Sequence, residues 1–207
     1  MSGQEQIRGQ VVDACRYLSS RGFLAGTGGN VSMRVDAKRF AITPSGRDYH
    51  GMTAEDVCIV NLESLAVEDG KLRPSIECGL HAAMLRGRPD AAAVIHTHQP
   101  LASAVALLGV ELCVPTELRG ILGRRVPAVS YAPSGTKLLV RALRKQLCRD
   151  ANAFLLRNHG MICCGPTMPA AISVAEQLEE KARCYLRAAI RSAGGGAVSR
   201  EALEALQ

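Results

Sequence analysis

The sequence predicts a single α/β domain, because helix-like segments at both ends of the 207-residue chain enclose a series of short strands. Apolar residues recur at helical spacing over residues 4–21 and again over residues 169–190. Between these segments, short apolar or alternating runs are bounded by glycine, proline and polar residues, as strands are. Aromatic residues make up only 3% of the chain. We therefore expect a core of Leu, Val, Ile and Ala.

The first third of the chain is predicted to form one helix followed by antiparallel strands. Gly22 ends helix 4–21, as glycine commonly does at a helix C-terminus. Two loops rich in small residues follow, at 25–30 and 43–46. The strands are expected at residues 31–35, 40–42, 57–61 and 65–72, the last with a turn at Asp69-Gly70.

The remaining elements alternate between helices and strands. A helix over Ile76–Arg86 would place Ile76, Leu80 and Met84 on its apolar face, and Pro89 would end it. Ser134-Gly135-Thr136 and Thr167 are predicted to cap the last two helices. After helix Ile76–Arg86, the expected order is strand 92–95, helix 101–108, strand 126–131, helix 137–148, strands 153–156 and 161–164, helix 169–190, and a loose segment at about 193–207.

Composition narrows the class of function. The formal net charge is +6, which favours anionic substrates, and no aromatic or nucleic-acid-binding motif accompanies the basic residues. Apolar runs are too short to span a bilayer and the N-terminus lacks a signal-peptide pattern, so we expect a cytoplasmic protein without a membrane or nucleic-acid partner. The eight cysteines lack framework spacing, and Cys163 and Cys164 would point apart on a strand. Reduced thiols are expected.

Three residues in the middle of the chain have the donor chemistry of a metal site. Glu77 lies near the start of helix Ile76–Arg86, and His96 and His98 follow strand 92–95. Side chains two apart on a strand point the same way, about 6 to 7 Å apart along the backbone, so both imidazoles can converge on one ion if the strand bends. Carboxylate and imidazole suit Zn²⁺, or a neighbour such as Mn²⁺ or Co²⁺.

His159 is a third candidate histidine, in Arg157-Asn158-His159-Gly160 at the end of strand 153–156. With Glu77, the three histidines supply enough ligands for a closed tetrahedral site. Such a site becomes catalytic if the glutamate leaves and a substrate oxygen takes its place. His81, four residues after Glu77, shares its helix face and is interpreted as a supporting or structural residue. His50 has no assigned role.

The two small-residue loops can expose backbone N–H groups and hydroxyls to an anion, as a nest does. Neither loop matches the P-loop or the dinucleotide-binding fingerprint. Taken alone, each loop is interpreted as a turn.

The order and spacing of these motifs resemble the class II aldolase/adducin family, and within it the L-fuculose-1-phosphate aldolases. The resemblance covers almost the whole chain. The matching segments are GTGGNVSMR (26–34), ITPSG (42–46), RPSIE (73–77), RPDAAAVIHTH (88–98), SYAPSGT (130–136), LLRNHGMICCG (155–165) and AEQLEEKARCYL (175–186).

The resemblance implies a three-layer α/β/α sandwich around a mainly antiparallel sheet. It also implies a homotetramer with four-fold symmetry and active sites at subunit interfaces. Zn²⁺ would be held by His96, His98 and His159, and in the resting site also by Glu77. The residues that match the family's phosphate-binding positions are Gly29, Asn30, Ser45, Gly46 and Ser75.

The implied reaction is cleavage of a ketose 1-phosphate to dihydroxyacetone phosphate and an aldehyde. The substrate would displace Glu77 from the metal, and the metal would stabilise the enediolate left after the C3–C4 bond breaks. Glu77, released from the metal, would then transfer the proton, since a carboxylate moved from a cation into a dry pocket has a raised pKa that suits acid/base work.

Two departures from the family pattern bear on the substrate. Aldolases of this family carry serine where this chain has Ile76, so one phosphate-facing hydroxyl is missing. The tyrosine that fuculose-phosphate aldolases place near residue 116 is also absent, because Val114-Pro115-Thr116-Glu117 contains none. Both differences indicate a substrate other than fuculose 1-phosphate.

Three functions remain open from the sequence, with the aldolase favoured. The second is another reaction through the same metal and enediolate: decarboxylation, dehydration or epimerisation. An epimerase of this family has aspartate where Glu77 stands. The third is a non-catalytic interaction module like the adducin head domain, which loses metal histidines that this chain retains.

Overall fold

The computed structural model describes residues 3–192, so the predicted loose segment at 193–207 lies outside the described residues. The strands are β1 Asn30–Arg34, β2 Arg39–Ile42, β3 Cys58–Asn61, β4 Val67–Asp69, β5 Ala93–Thr97, β6 Leu112–Cys113, β7 Arg125–Val126, β8 Ala128–Val129, β9 Ala153–Leu156 and β10 Gly160–Gly165. The helices are α1 Gly3–Ser20, α2 Cys78–Gly87, α3 Pro100–Leu108, α4 Arg119–Leu122, α5 Lys137–Gln146 and α6 Met168–Ser192.

Eight of the strands form one sheet in the order β4-β3-β2-β1-β5-β10-β9-β8, and β6 pairs with β7 separately. Every neighbouring pair in the large sheet is antiparallel except β8 with β9. Helices α1, α3 and α6 pack on one face, and α2 and α5 pack on the other. The predicted α/β/α sandwich with a mainly antiparallel sheet is therefore confirmed.

The central strands are apolar on both faces because helices cover both faces. Cys163 packs in the core beneath α6, whereas Cys164 packs in the core beneath α2 and α5. The expectation that the two adjacent cysteines point apart is therefore confirmed. All eight cysteines are free thiols in this structure.

The short elements β6 and α4 were not expected, and two of the expected elements have different boundaries. Strand 126–131 is divided into β7 and β8 by Pro127, whose nitrogen cannot donate to a ladder. The helix predicted from Ile76 begins at Cys78 instead, with Glu77 as its N-cap residue. Ile76 was wrongly placed on the apolar face of this helix, since it is 67% exposed.

Hydrogen bonds to the neighbouring loop explain the late start of α2. The Ser75 amide donates to the Thr43 carbonyl (3.0 Å), and the Ser45 amide donates to the Arg73 carbonyl (2.9 Å). Pro44 and Pro74 form an antiparallel bridge between the two loops. These contacts hold the backbone in an extended course before Glu77, so the helix cannot extend back to Ile76.

Helix α3 buries only part of its apolar surface within the chain. Ala102, Val105 and Ala106 are buried in the core that α3 shares with α6. Leu107 and Leu108 remain 59% and 53% exposed. Within residues 3–192, no helix is both long and apolar enough to cross a membrane.

Candidate metal centre

The candidate site lies at one end of three neighbouring central strands of the sheet, β1, β5 and β10. Strands β1 and β10 both run antiparallel to β5, so their first residues lie beside the end of β5. Asn30 pairs with His96, and Met161 pairs with Thr97. This register brings Asn30, His96, His98 and the residue before β10, His159, to the same place.

The turn before β10 directs His159 into the site. It joins β9 and β10 through residues 157–159, and the His159 amide donates to the Leu156 carbonyl (3.0 Å). Asn158 has φ 55°, a left-handed conformation in which asparagine is enriched among non-glycine residues. The ring centroids of His159 and His96 are 4.7 Å apart, so the turn brings the two imidazoles together.

The ligand nitrogens of the three histidines all lie within 4.8 Å of one another. His96 Nε2 is 3.0 Å from His98 Nε2 and 3.0 Å from Glu77 Oε2. His159 Nε2 is 3.3 Å from Glu77 Oε1. The structure therefore brings together all four predicted metal residues.

These four residues fit a bound cation. His96 Nδ1 donates to the Met161 carbonyl (2.7 Å), so its Nε2 carries the lone pair that faces Glu77 and His98. Lone pairs that face each other repel unless a proton or a cation lies between them. A tetrahedral ion with ligands at about 2.0–2.1 Å separates the ligand atoms by about 3.3 Å, close to the separations seen here.

The surroundings of His98 and His159 favour the neutral form that binds metals. Desolvation, together with the nearby His96, lowers the pKa of His98 to about 4 and also lowers the pKa of His159. Burial alone would raise the pKa of Glu77, but contacts with His96 and Asn30 outweigh it and leave that pKa well below its usual range. At neutral pH His98 and His159 therefore present unprotonated nitrogens, and Glu77 presents an ionised carboxylate.

Two further side chains hold the Glu77 carboxylate. Asn30 Nδ2 donates to Oε2, and Ser134 Oγ donates to Oε1, both at 2.9 Å. Ser134 had been predicted only as part of the cap of α5, where the observed N-cap is Thr136. No motif in the sequence indicates that Ser134 reaches Glu77, because the contact depends on how α5 packs beside α2.

His81 lies behind Asn30 and is fully buried. Its Nε2 is 2.6 Å from Asn30 Oδ1, and its Nδ1 is 2.6 Å from Ser32 Oγ. Burial lowers the pKa of His81 to about 3, so the ring is neutral. His50, by contrast, is exposed and lies 3.4 Å from Ser19 Oγ.

The predicted phosphate residues other than Asn30 lie on the loops around this centre. Ser75 is buried and its Oγ accepts the Glu77 amide (3.2 Å), whereas Ser45 and Gly46 are exposed in the paired loop. Gly29 has φ 83°, and a Cβ there would lie 2.7 Å from the His96 carbonyl oxygen. Only glycine allows the first loop to approach β5 so closely.

Gly160 has a similar role beside His98. A Cβ at this position would lie 2.4 Å from the Thr97 carbonyl oxygen and 2.8 Å from His98 Cδ2. Gly160→Ala is therefore expected to displace the His98 ring and lower the metal content of the purified protein several-fold. Elemental analysis after dialysis measures this. Gly9→Ala is the matched control, since a Cβ there meets nothing within 4 Å. Equal metal content in both variants would contradict this account of Gly160.

Comparison with known proteins agrees with this geometry. Residues 9–186 match the family described as Class II Aldolase and Adducin N-terminal domain. The chain is 37% identical over 182 residues to the 5-deoxy-D-ribulose 1-phosphate aldolase of Bacillus thuringiensis serovar kurstaki, covering 87% of this chain and 84% of that protein. It is 32% identical over 184 residues to the L-fuculose phosphate aldolase of Escherichia coli strain K12, covering 88% and 84%.

A solved structure of L-fuculose 1-phosphate aldolase has the same fold, with a TM-score of 0.84 and 27% sequence identity. The match covers 97% of this chain and 94% of the other. The family match spans far more than half of the chain, and the similarity to the two named aldolases covers most of each of them. The chain therefore belongs to the class II aldolase and adducin family and is an enzyme of the class II aldolase type.

Proposed function

We propose that this protein is a zinc-dependent aldolase that cleaves a ketose 1-phosphate to dihydroxyacetone phosphate and an aldehyde. The observation that carries the proposal is the meeting of the Glu77 carboxylate with the Nε2 atoms of His96 and His159 at 3.0 and 3.3 Å. This donor set suits Zn²⁺, and Mn²⁺ or Co²⁺ suit the same ligands.

The metal ligands and Glu77 would have different roles in this reaction. When bound, the ion would supply a Lewis acid that polarises the ketose carbonyl and stabilises the negative charge left when the C3–C4 bond breaks. His96, His98 and His159 would hold it. Glu77 would carry the proton to or from the carbon at the broken bond. Its neighbours Asn30 and Ser134 keep the carboxylate within reach of that carbon.

The named relatives support a sugar phosphate as substrate, since one acts on 5-deoxy-D-ribulose 1-phosphate and another on L-fuculose phosphate. We propose that Gly29, Asn30, Ser45, Gly46 and Ser75 receive the phosphate. Ile76 stands among them as a largely exposed apolar side chain. A Cβ on Gly135 would lie 3.4 Å from the Ile76 side chain, so Ile76 lies beside the loop that precedes α5.

The exposed Ile76 is also the observation that favours a second candidate function. A decarboxylase, dehydratase or epimerase of the same family would use the metal centre on a substrate with less charge at this end. A non-catalytic module of the adducin type is the weakest alternative, because the complete histidine set would serve no purpose there.

The metal and proton-transfer roles are separated by two substitutions. His96→Ala removes a ligand, so both bound metal and aldol cleavage should be lost. Glu77→Gln keeps the size of the side chain but not its basicity, so turnover should fall by about 10²-fold or more while most of the metal is retained. Elemental analysis and a coupled assay of dihydroxyacetone phosphate release measure these outcomes. Unchanged turnover in Glu77→Gln would exclude the proton-transfer role.

The phosphate pocket is tested by the ratio of kcat/KM for a ketose 1-phosphate to that for its unphosphorylated analogue. Ile76→Ser adds a hydroxyl donor to a charged acceptor, which is worth about 1.5–3 kcal/mol, so the ratio should rise roughly ten- to a hundred-fold. Asn30→Ala should lower the ratio. Because Asn30 also touches Glu77, its loss should slow both substrates, and the ratio isolates the phosphate contribution. If neither variant changes the ratio, the loops hold no phosphate, and the second candidate function is the better one.

We also propose a homotetramer with each active site shared between two subunits. Leu107 and Leu108 are exposed at the end of α3, and His159 Nδ1 is buried without a hydrogen-bond partner among residues 3–192. A neighbouring subunit would cover the leucines and offer a partner to the imidazole. Sedimentation velocity at micromolar concentration is expected to give a tetramer. A fully active monomer would contradict the proposal.

A further inference from the structure

A buried line of hydrogen-bonding groups leads from the interior of the protein to Glu77. Ser32 Oγ is 2.6 Å from His81 Nδ1, and His81 Nε2 is 2.6 Å from Asn30 Oδ1. Asn30 Nδ2 in turn donates to Glu77 Oε2 at 2.9 Å. All four side chains are buried. Three links therefore connect a serine deep in the sheet to the carboxylate of the metal centre.

The periodicities of strand and helix create this line. Asn30 and Ser32 are two residues apart on β1 and so point to the same face of the sheet. His81 is four residues after Glu77, one turn into α2, and so faces the same way as the residue at the helix start. Packing α2 on this face of the sheet places His81 against both strand residues.

The direction of every hydrogen bond in the line follows from the carboxylate. An ionised carboxylate only accepts hydrogen bonds, so the amide group of Asn30 must turn its NH₂ toward Glu77 and its oxygen toward His81. His81 must then carry its proton on Nε2 in order to donate to that oxygen. Its Nδ1 is left to accept the hydroxyl proton of Ser32. One orientation of the asparagine amide and one tautomer of the histidine satisfy all three links.

Without His81 the buried Asn30 oxygen would lose its hydrogen-bond donor, and only the contact with Glu77 would hold the amide in this orientation. An asparagine side chain presents an oxygen and an NH₂ of nearly equal size, and rotation by half a turn would point the oxygen at Glu77. Two acceptors would then face each other in a buried site, which is costly because water cannot replace the lost hydrogen bond. The other oxygen of Glu77 is held by Ser134, which lies on an exposed loop.

We infer that His81 is a positioning residue, which fixes the amide of Asn30 so that the Glu77 carboxylate is directed at His96 and His159. His81 does not touch the substrate or the metal and acts only through Asn30. Ser32 supports it by selecting the tautomer. The inference rests on the proposed function of Glu77 as metal ligand and proton carrier.

The test uses His81→Leu, which removes both ring hydrogen bonds, and His81→Gln, which retains a donor for the Asn30 oxygen. Each variant is loaded with Co²⁺, because the visible absorption of Co²⁺ reports its ligands whether or not the enzyme turns over. In His81→Leu we expect altered Co²⁺ bands and a kcat lowered on the order of ten- to a hundred-fold, the effect of one hydrogen bond to a charged group. KM for the ketose 1-phosphate should change by no more than about twofold. His81→Gln should recover most of both signals.

Two further variants keep the test decisive. Met84→Ala, also buried on α2 but outside the line, controls for the stability lost by emptying a core position. Ser32→Ala removes only the far link and should give a smaller change in the same direction, even if His81→Leu does not fold. The inference is overturned if His81→Leu or Ser32→Ala matches Met84→Ala in both kcat and Co²⁺ spectrum.

Failure of the proposed function would look different. If the wild-type protein cleaves no ketose 1-phosphate, the Co²⁺ spectrum of Glu77→Gln still shows whether Glu77 is a ligand. The spectrum of His81→Leu then supports or refutes the positioning role without any assay of activity.

Discussion

The antiparallel pairing of β5 with β1 and β10 is the constraint on which the rest of the site depends. These pairings place the first residues of β1 and β10 beside the last residues of β5, so residues far apart in the chain meet at the same end of the central strands. The register matters as much as the direction, because a shift of one residue between β1 and β5 would leave His96 and Asn30 on opposite faces of the sheet. Glycines at 29 and 160 allow the backbones to approach closely enough for this register.

The residues around Glu77 are polar although the rest of the central strands is mostly apolar. A buried carboxylate needs hydrogen-bond donors or a cation, and Glu77 has donors from Asn30 and Ser134 with histidine nitrogens on its open side. Glu77 is the N-cap residue of α2, and its amide donates to Ser75 Oγ. The side chain therefore lies beside the strand ends. The polar groups are thus paired with one another and directed at one point, which suits a site that binds a cation.

Much of this was predictable from local pattern. Most of the helices and strands were expected nearly where they lie, because their apolar residues recur at the spacing of a helix or a strand, whereas the short elements β6 and α4 were not expected. His96 and His98 were expected on one side of a strand, and the histidine before Gly160 was expected at a strand end. The matching motifs then indicated the family and the sandwich fold, which the structure and the comparisons confirm.

By itself, the sequence determined most of the elements, the four candidate metal ligands and the family, since these follow from residue type and spacing along the chain. Only the tertiary structure decided where α2 begins, that Ile76 is exposed, and that Ser134 reaches Glu77. It also decided that Asn30 lies between His81 and Glu77. These features depend on contacts between segments far apart in the chain, and the periodicity of one segment carries no information about the distance to another.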